Sequence, residues 1–220
     1  MVGWSEVTSG PTLQKVYPWS TLSPDTTIVD VGGGNGHAML EIIRQFPRFK
    51  AVIQDTEGAA KDGEQFWSQA YTEALQEKRV EFIPFNFLVD SPVEGRDIYY
   101  VKHILHNWTD DACLAILSNV RKAMKPTSKL LIHETALQYI VSEHFSRAPK
   151  PLLPNYGAAS KRLYFADINM MQHFNSQERT VEEFIEMGKK TGFTFCKLWG
   201  GGEDGILEFV PAEGVHTSFA

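Results

Sequence analysis

From Thr26 onward, short runs of apolar and β-branched residues alternate with longer segments in which apolar residues recur at helical spacing. The short runs predict buried strands, and the longer segments predict amphipathic helices. The predicted strands cover about 26–31, 50–55, 80–83, 97–102 and 129–133, and two more lie within 193–211 around the glycine-rich stretch 200–205. The predicted helices cover about 37–46, 59–76, 110–124, 157–172 and 181–187, with Thr109 and Thr180 as N-caps.

A regular alternation of strands and helices is typical of a parallel sheet that is covered on both faces. The chain therefore predicts an α/β, Rossmann-like fold: a mostly parallel, seven-stranded sheet with helices on both faces and a C-terminal antiparallel hairpin. Residues 1–25 contain several prolines and are expected to be irregular. Residues 26–220 are expected to form one domain. Ligands of such sheets bind at the carboxyl ends of the strands, so functional side chains are expected there.

The first predicted strand leads into a glycine-rich turn, TIVDVGGGNG, and then into a predicted helix. This order forms a cradle for a nucleoside, because glycine lets a ligand approach the backbone closely. The spacing does not match the dinucleotide pattern G-x-G-x-x-G, which disfavours an oxidoreductase, and it does match D-x-G-x-G-x-G from Asp30 to Gly36. Asp55 ends the second strand, where an acid can accept hydrogen bonds from ribose hydroxyls. The two features together predict a site for a nucleoside cofactor.

Composition and charge narrow the class of protein. The chain has 220 residues, of which 43% are hydrophobic and 22% charged, as in ordinary globular domains. A net charge of -6 argues against a nucleic-acid-binding surface, and no apolar run reaches the roughly 20 residues that a membrane span requires. Cys113 and Cys196 are expected to be buried, reduced thiols of a cytoplasmic protein. The N-terminus also lacks the character of a signal peptide.

Three further segments carry candidate chemistry: two lie at predicted strand ends, and the third lies in the last long loop. Residues 102–110 read KHILHNWTD, the fifth strand ends in His133 and Glu134, and residues 177–180 read QERT. Together with the glycine motif, these segments resemble the catalytic domain of plant-type and fungal S-adenosylmethionine-dependent O-methyltransferases, the caffeate and flavonoid O-methyltransferase-like family. The resemblance runs from about Tyr17 to Pro211, and it implies the class I methyltransferase form of the Rossmann-like fold.

The resemblance implies that His106 is the general base that takes a proton from a substrate hydroxyl. It implies that Glu134 and Glu178 flank this histidine, although the sequence leaves open which of them contacts it. An imidazole with the ordinary pKa of about 6.5 is largely neutral near pH 7 and can accept that proton. His103 and His133 are expected to be structural. The implied cofactor is S-adenosylmethionine, which leaves as S-adenosylhomocysteine, and no metal is implied.

The family pattern also implies binding residues. The cofactor-binding positions are Asp30, Gly32, Gly34, Asp55, Asn86, Phe87 and Lys102. Asn86 stands where the family usually has Asp, and its amide offers an acceptor and a donor to the adenine edge. Asn107 stands where many relatives have Asp, so a charge next to His106 is expected to be missing. The substrate-facing positions are Trp108, Phe165, Asn169, Met170 and His173, and an apolar wall of this kind suits a small hydroxylated aromatic substrate.

Full-length members of the family carry a helical dimerisation domain before the glycine loop and form homodimers. The stretch before Gly32 is short, so the catalytic domain alone is expected, as a monomer or a weakly self-associating species that binds the cofactor and transfers methyl groups weakly. Alternatives with the same fold and cofactor are N-methylation, a cofactor-assisted dehydration or pericyclic rearrangement, and a cofactor-binding pseudoenzyme. A metal-dependent catechol-type enzyme would need clustered oxygen ligands. The sequence does not identify the substrate.

Overall fold

The computed structural model describes residues 16–137, 151, 157–200 and 204–213. Most of the predicted irregular segment and part of the predicted glycine-rich stretch, 201–203, therefore lie outside the described residues. Within the described part of that N-terminal segment, Trp19–Thr21 forms one turn of 3-10 helix. Tyr17 and Trp19 are buried, and the Tyr17 ring packs edge-on against Trp199 near the end of the chain.

Strands and helices follow one another as the periodicity predicts. In chain order they are β1 Thr27–Val31, α1 His37–Gln45, β2 Lys50–Asp55, α2 Glu57–Ala70, α3 Thr72–Gln76, β3 Val80–Pro84, β4 Ile98–Lys102, α4 Asp110–Ala123, β5 Lys129–Leu137, α5 Lys161–Phe174, β6 Arg179–Thr180, α6 Val181–Lys190, β7 Phe193–Trp199 and β8 Asp204–Pro211. Two further 3-10 turns cover Leu105–Asn107 and Gly157–Ser160.

One sheet contains all the described strands, and its main path runs β3-β2-β1-β4-β5-β8-β7. The strands from β3 to β5 along this path pair in parallel, whereas β8 runs antiparallel to both β5 and β7. The predicted seven-stranded path with its C-terminal hairpin is confirmed. An eighth strand, the two-residue β6, pairs with the end of β5 and is too short to show a periodic pattern. The order reverses between β1 and β4, which is where ligands of such sheets bind.

The core lies on both faces of the sheet, because successive residues of a buried strand point to opposite sides. Ile28 packs with residues of α1 and α2, whereas its neighbour Val29 packs with residues of α4 and α6. Helices therefore cover both faces, as predicted. Among the described residues, no helix combines the length and the apolar character that crossing a bilayer requires.

Some local predictions were wrong, and others were confirmed. The predicted helix 59–76 is interrupted at Tyr71, whose φ of -159° is extended, so that α2 and α3 are separate helices. Strand β5 continues to Leu137 because its end pairs with β6 and β8. Thr109 occupies the N-cap position of α4 without a capping side-chain hydrogen bond, whereas Thr180 forms a complete capping box on α6. Both cysteines are free, but only Cys113 is buried and Cys196 is exposed.

Candidate active site

The glycine loop, residues 32–36, follows β1 in backbone conformations that favour glycine. Gly32, Gly34 and Gly36 have φ values of +72°, +57° and +75°. A Cβ at Gly32 would lie 2.6 Å from Ile104 Cδ1, and one at Gly36 would lie 2.3 Å from Ile53 Cδ1. A Cβ at Gly34 would meet no described atom within 4 Å. The loop is therefore packed against protein at its two ends and open in the middle.

The carboxylate of Asp30 is buried beneath this loop. A Cβ at Gly33 would lie 2.5 Å from Asp30 Cγ, so the loop backbone rests directly on the acid. Burial raises the pKa of Asp30 to about 7, the charge of Lys102 opposes that rise, and the charge of Asp55 adds to it. Burial also lowers the pKa of Lys102, against the attraction of Asp30. Asp30 thus supports the loop from below, and its direct contact with a cofactor stays a prediction.

Asp55, at the end of β2, is hydrogen-bonded to the middle of the glycine loop. Its Oδ2 accepts the backbone N–H of Gly34 at 2.8 Å, and its Oδ1 accepts the backbone N–H of Thr56 at 2.6 Å. Each carboxylate oxygen can accept a second hydrogen bond. The structure therefore places Asp55 beside the loop with acceptor capacity remaining, and its bond to a ribose stays a prediction.

Asn86 and Phe87, two of the predicted cofactor-binding residues, follow β3 and have different surroundings. Asn86 is exposed, and its Oδ1 accepts the backbone N–H of Leu88 at 3.1 Å, so one of its acceptor positions is already used locally. The ring of Phe87 stands nearly perpendicular to Trp108, with centroids 5.6 Å apart. Phe87 Cε1 would also lie 3.4 Å from a Cβ at Gly32. Phe87 therefore links the glycine loop to the segment that follows β4.

That segment, the β4 turn of residues 103–108, carries His106 to two carboxylates. His106 Nδ1 lies 3.1 Å from Glu178 Oε1, in hydrogen-bond geometry, and 3.6 Å from Glu134 Oε2. The side chains of Glu134 and Glu178 are 0% and 3% exposed, and that of His106 is 15% exposed. The structure therefore brings the three predicted catalytic side chains together. Glu178 makes the direct hydrogen bond, which the sequence had left open.

The charge state of His106 differs from the expectation. Burial by itself would lower the pKa of His106, but the charge of Glu134, the hydrogen bond and charge of Glu178, and the charge of Asp204 outweigh burial and raise this pKa to about 9. The expectation of a largely neutral imidazole near pH 7 is therefore wrong for the chain by itself. Burial raises the pKa of Glu134, and the charges of His106 and His103 oppose that rise.

The β4 turn is held by side chains that are distant in the sequence. Glu134 Oε1 accepts the backbone N–H groups of Ile104 and Leu105 at 2.9 and 2.8 Å. Arg179, which is 1% exposed, donates to the carbonyl oxygens of Leu105 and Trp108 at 2.7 and 2.8 Å. Both ends of the turn therefore form hydrogen bonds with charged groups, and such bonds are stronger than those between neutral groups.

Sequence reasoning missed three residues that contact this arrangement. Arg179 received no role, although its place directly after Glu178 in the family pattern was a usable signal. His103 was expected to be structural, but its ring stacks on His106 with centroids 5.5 Å apart. Asp204 lies 3.3 Å from His103 and is brought there by the pairing of β8 with β5. No local pattern marks Asp204.

The residues predicted to face a substrate lie mainly on α5, which is next to the site. Asp167 of this helix accepts the backbone N–H of Glu178 at 2.9 Å. Phe165 is 55% exposed, Asn169 and His173 are exposed, and Met170 is half-buried. Trp108 is half-buried and lies in the β4 turn itself, two residues after the histidine. Substrate contact by any of these residues stays a prediction.

The three catalytic candidates could also hold a metal ion. In the described part of the chain, His106 Nδ1 and one oxygen from each of Glu134 and Glu178 lie within 4.8 Å of one another. Imidazole nitrogen and carboxylate oxygen are ligands that zinc and related ions accept. The 3.1 Å contact of His106 with Glu178 is also a normal hydrogen-bond distance, so a proton accounts for the same arrangement.

Known proteins resemble this chain in sequence and fold. A model of an O-methyltransferase domain matches residues 6–194. The curated 3-O-methyltransferase 2 of Phanerochaete chrysosporium is 43% identical over 213 residues, which cover 95% of this chain and 48% of that relative. The chain therefore spans about half the length of this curated relative.

Solved structures show the same relation. The structure of mitomycin 7-O-methyltransferase MmcR has a TM-score of 0.77 at 25% identity and matches 96% of this chain and 55% of its own. Human N-acetylserotonin methyltransferase, solved in complex with SAM, has a TM-score of 0.73 at 21% identity and matches 93% of this chain and 52% of its own. At this identity, the second likeness concerns the fold alone.

Proposed function

This chain belongs to the O-methyltransferase family, and from that membership we propose that it transfers a methyl group from S-adenosylmethionine to a hydroxyl oxygen of a small aromatic substrate. The observation that carries the proposal is the contact of His106 Nδ1 with the buried carboxylates of Glu178 and Glu134 at 3.1 and 3.6 Å. This arrangement lies at the carboxyl ends of the strands, beside the glycine loop. Relatives whose names specify O-methyl transfer support oxygen as the acceptor.

The strand ends fit S-adenosylmethionine chemically. Gly34 borders open space, so a ligand can approach the loop backbone there. Asp30 Oδ2 is buried and has no hydrogen-bond partner among the described residues, and Asp55 keeps acceptor capacity. Two carboxylates and an open loop suit a cationic ligand rich in hydrogen-bond donors. When bound, the cofactor supplies an electrophilic methyl group on a sulfonium. The residues that would hold it are Asp30, Gly32, Gly34, Asp55, Asn86, Phe87 and Lys102.

In this proposal His106 takes the proton of the substrate hydroxyl at Nε2, because Nδ1 faces the two carboxylates. Glu178 fixes the tautomer through its hydrogen bond, and both carboxylates stabilise the imidazolium that forms. With a pKa of about 9, His106 is a strong base that is mostly protonated at pH 7, with a small neutral fraction. A cation bound at the strand edge would oppose the two carboxylates and increase that neutral fraction.

A radiometric methyl-transfer assay on a panel of hydroxylated aromatics tests this role. His106→Ala is expected to lose about 10²–10⁴-fold in rate, because general-base catalysis contributes that much. Calorimetry should show unchanged cofactor affinity for the same variant. Lys61→Ala, on the exposed face of α2, serves as the control. Wild-type turnover by His106→Ala would contradict the role of the histidine. Cofactor binding without methyl transfer by the wild-type chain would instead indicate a binding protein.

We further propose that the transfer needs no metal ion. The hydrogen-bond distance between His106 and Glu178 and the match to the O-methyltransferase domain support a proton rather than a metal between these groups. Activity should therefore survive dialysis against EDTA. Loss of activity that added zinc restores would contradict this and assign His106, Glu134 and Glu178 to a metal.

A further inference from the structure

We propose that His103 is a positioning residue, which holds the imidazole of His106 by ring stacking and is itself anchored by Asp204. This inference rests on the proposed role of His106 as base. The rings of His103 and His106 have centroids 5.5 Å apart and an interplanar angle of 22°. The distance lies in the range of interacting aromatic pairs, and the small angle shows that the rings stack rather than meet edge-on. His103 therefore supports the face of the imidazole, whereas Glu178 and Glu134 contact its edge at Nδ1.

Asp204 anchors His103 from the C-terminal hairpin. His103 Nε2 lies 3.3 Å from Asp204 Oδ2, and Asp204 Oδ1 accepts the hydroxyl proton of Thr135 at 2.9 Å. Asp204 and Thr135 are register partners of the antiparallel pair β5 and β8. The Asp204 side chain is only 11% exposed. The carboxylate is thus fixed by the sheet, and its Oδ2 lies within ion-pair distance of His103 Nε2, outside hydrogen-bond geometry.

Asp204 is ionised at any pH at which the proposed reaction would run. Burial would raise the pKa of Asp204, but the close contact and charge of His103, the charge of His133 and the hydrogen bond of Thr135 lower this pKa to about 2. The charge of Asp204 also contributes to the raised pKa of His106. Asp204 of the hairpin therefore acts on His106 in two ways, through its contact with the stacked His103 ring and through its own negative charge.

The backbone of His103 is constrained as well. Its φ of +51° is left-handed, a conformation that histidine adopts infrequently and at an energetic cost. Its N–H donates to the carbonyl oxygen of His133 at 3.1 Å, and its carbonyl accepts Asn107 Nδ2 at 3.1 Å. An aspartate at position 107 could not donate that bond when ionised. From the sequence, Asn107 was expected only to lack the charge of an aspartate. In the structure, its side chain holds the backbone of His103, the residue that stacks on His106.

Two substitutions at position 103 separate the stacking from the anchor. His103→Phe keeps a flat ring and loses the contact with Asp204, whereas His103→Asn suits the left-handed backbone and loses the ring. His103→Asn should lower kcat about tenfold with little change in KM, because a misplaced base slows the chemical step. His103→Phe should recover part of that loss in kcat. The kcat of Asp204→Asn should lie between the values of the two His103 variants. Lys78→Asn, at an exposed left-handed residue with φ +54°, is the matched control.

A second measurement does not depend on turnover. In ¹⁵N–¹H spectra of the histidine side chains recorded at about pH 10, above the His106 pKa of about 9, the signals of the neutral wild-type His106 should show one tautomer, protonated at Nδ1 toward Glu178. They should broaden or report mixed tautomers in His103→Asn and sharpen again in His103→Phe. The assignment comes from the signals that disappear in His106→Ala. If the wild-type chain transfers no methyl group, this spectrum still tests the stack. Unchanged His106 signals and kcat in a folded His103→Asn variant would overturn the proposal.

Discussion

The two halves of the candidate site, the glycine loop and the β4 turn, are built in different ways. The glycine loop follows a single strand, and the left-handed φ values of its own glycines set its shape. The β4 turn instead depends on Glu134, Arg179 and Asp204, which come from β5, β6 and β8. A local glycine loop is disrupted when a substitution adds a Cβ to one of its glycines. An assembled turn is disrupted when a substitution removes one of its buried hydrogen-bond partners.

The largest effect is expected where the two halves touch. Gly32→Val would place a Cβ 2.6 Å from Ile104 Cδ1, in a residue with φ +72°. Left-handed strain and overpacking together should reduce the free energy of unfolding by about 2–5 kcal/mol and weaken cofactor binding. Urea denaturation and calorimetry measure the two quantities.

Gly34→Ala is the control for that change, because its φ is also positive and its Cβ would meet open space. It should cost only the strain of about 1–2 kcal/mol. Equal urea midpoints for Gly32→Val and Gly34→Ala would show that the contact with the β4 turn is unimportant.

In the assembled half, Arg179→Met should reduce stability, because the carbonyl oxygens of Leu105 and Trp108 lose their charged donor. Both carbonyls keep a neutral donor, the Trp108 N–H for Leu105 and the Ser176 hydroxyl for Trp108. The change therefore removes two hydrogen bonds from a charged donor, which contribute about 1.5–3 kcal/mol each, and we expect a loss of about 2–4 kcal/mol in the free energy of unfolding. Arg179 also pairs with Asp110, whose side chain is 64% exposed. Asp110→Asn is therefore the control and should cost below about 1 kcal/mol. A similar loss in both variants would assign the stabilisation to the ion pair instead.

The pH dependence of kcat/KM sharpens the comparison further, since it reports the charge state of the free His106. The neutral base is the active form in the proposed reaction, so kcat/KM should rise with pH until the histidine pKa of about 9. Glu178→Gln removes a negative charge that favours the imidazolium, so the rise should move to lower pH. A rise centred near pH 6.5 in the wild-type chain would argue against the two-carboxylate environment.

An effect of the opposite sign is expected beneath the glycine loop, at Asp30. Its pKa is raised from 3.8 to about 7 on folding, so the folded state binds its proton more tightly. Stability is therefore highest below pH 4 for this group and falls as pH rises through 7. Asp30→Asn should increase the melting temperature relative to wild type at pH 8 and much less at pH 5. A constant difference at both pH values would contradict a titrating Asp30.

The local half of the site was also easier to predict from the sequence than the assembled half. Strands β1 to β5, the N-cap at Thr180 and the glycine loop were predicted because each depends on neighbouring residues and periodicity. The break at Tyr71 and the two-residue β6 were not, since tertiary pairing and packing decide such short features. The pKa of His106 could not be predicted, because the carboxylates that raise it come from separate segments.

The amino-acid sequence by itself determined the strand and helix order, the open glycine loop, and which histidine and glutamates carry the family pattern. It did so because hydrophobic period, glycine and short motifs act locally. Only the tertiary structure decided that Glu178 bonds His106, that Arg179 holds the β4 turn, and that Asp204 reaches His103 across β5 and β8. These contacts join residues far apart in the chain, and their strength comes from burial away from water, which only the folded sheet provides.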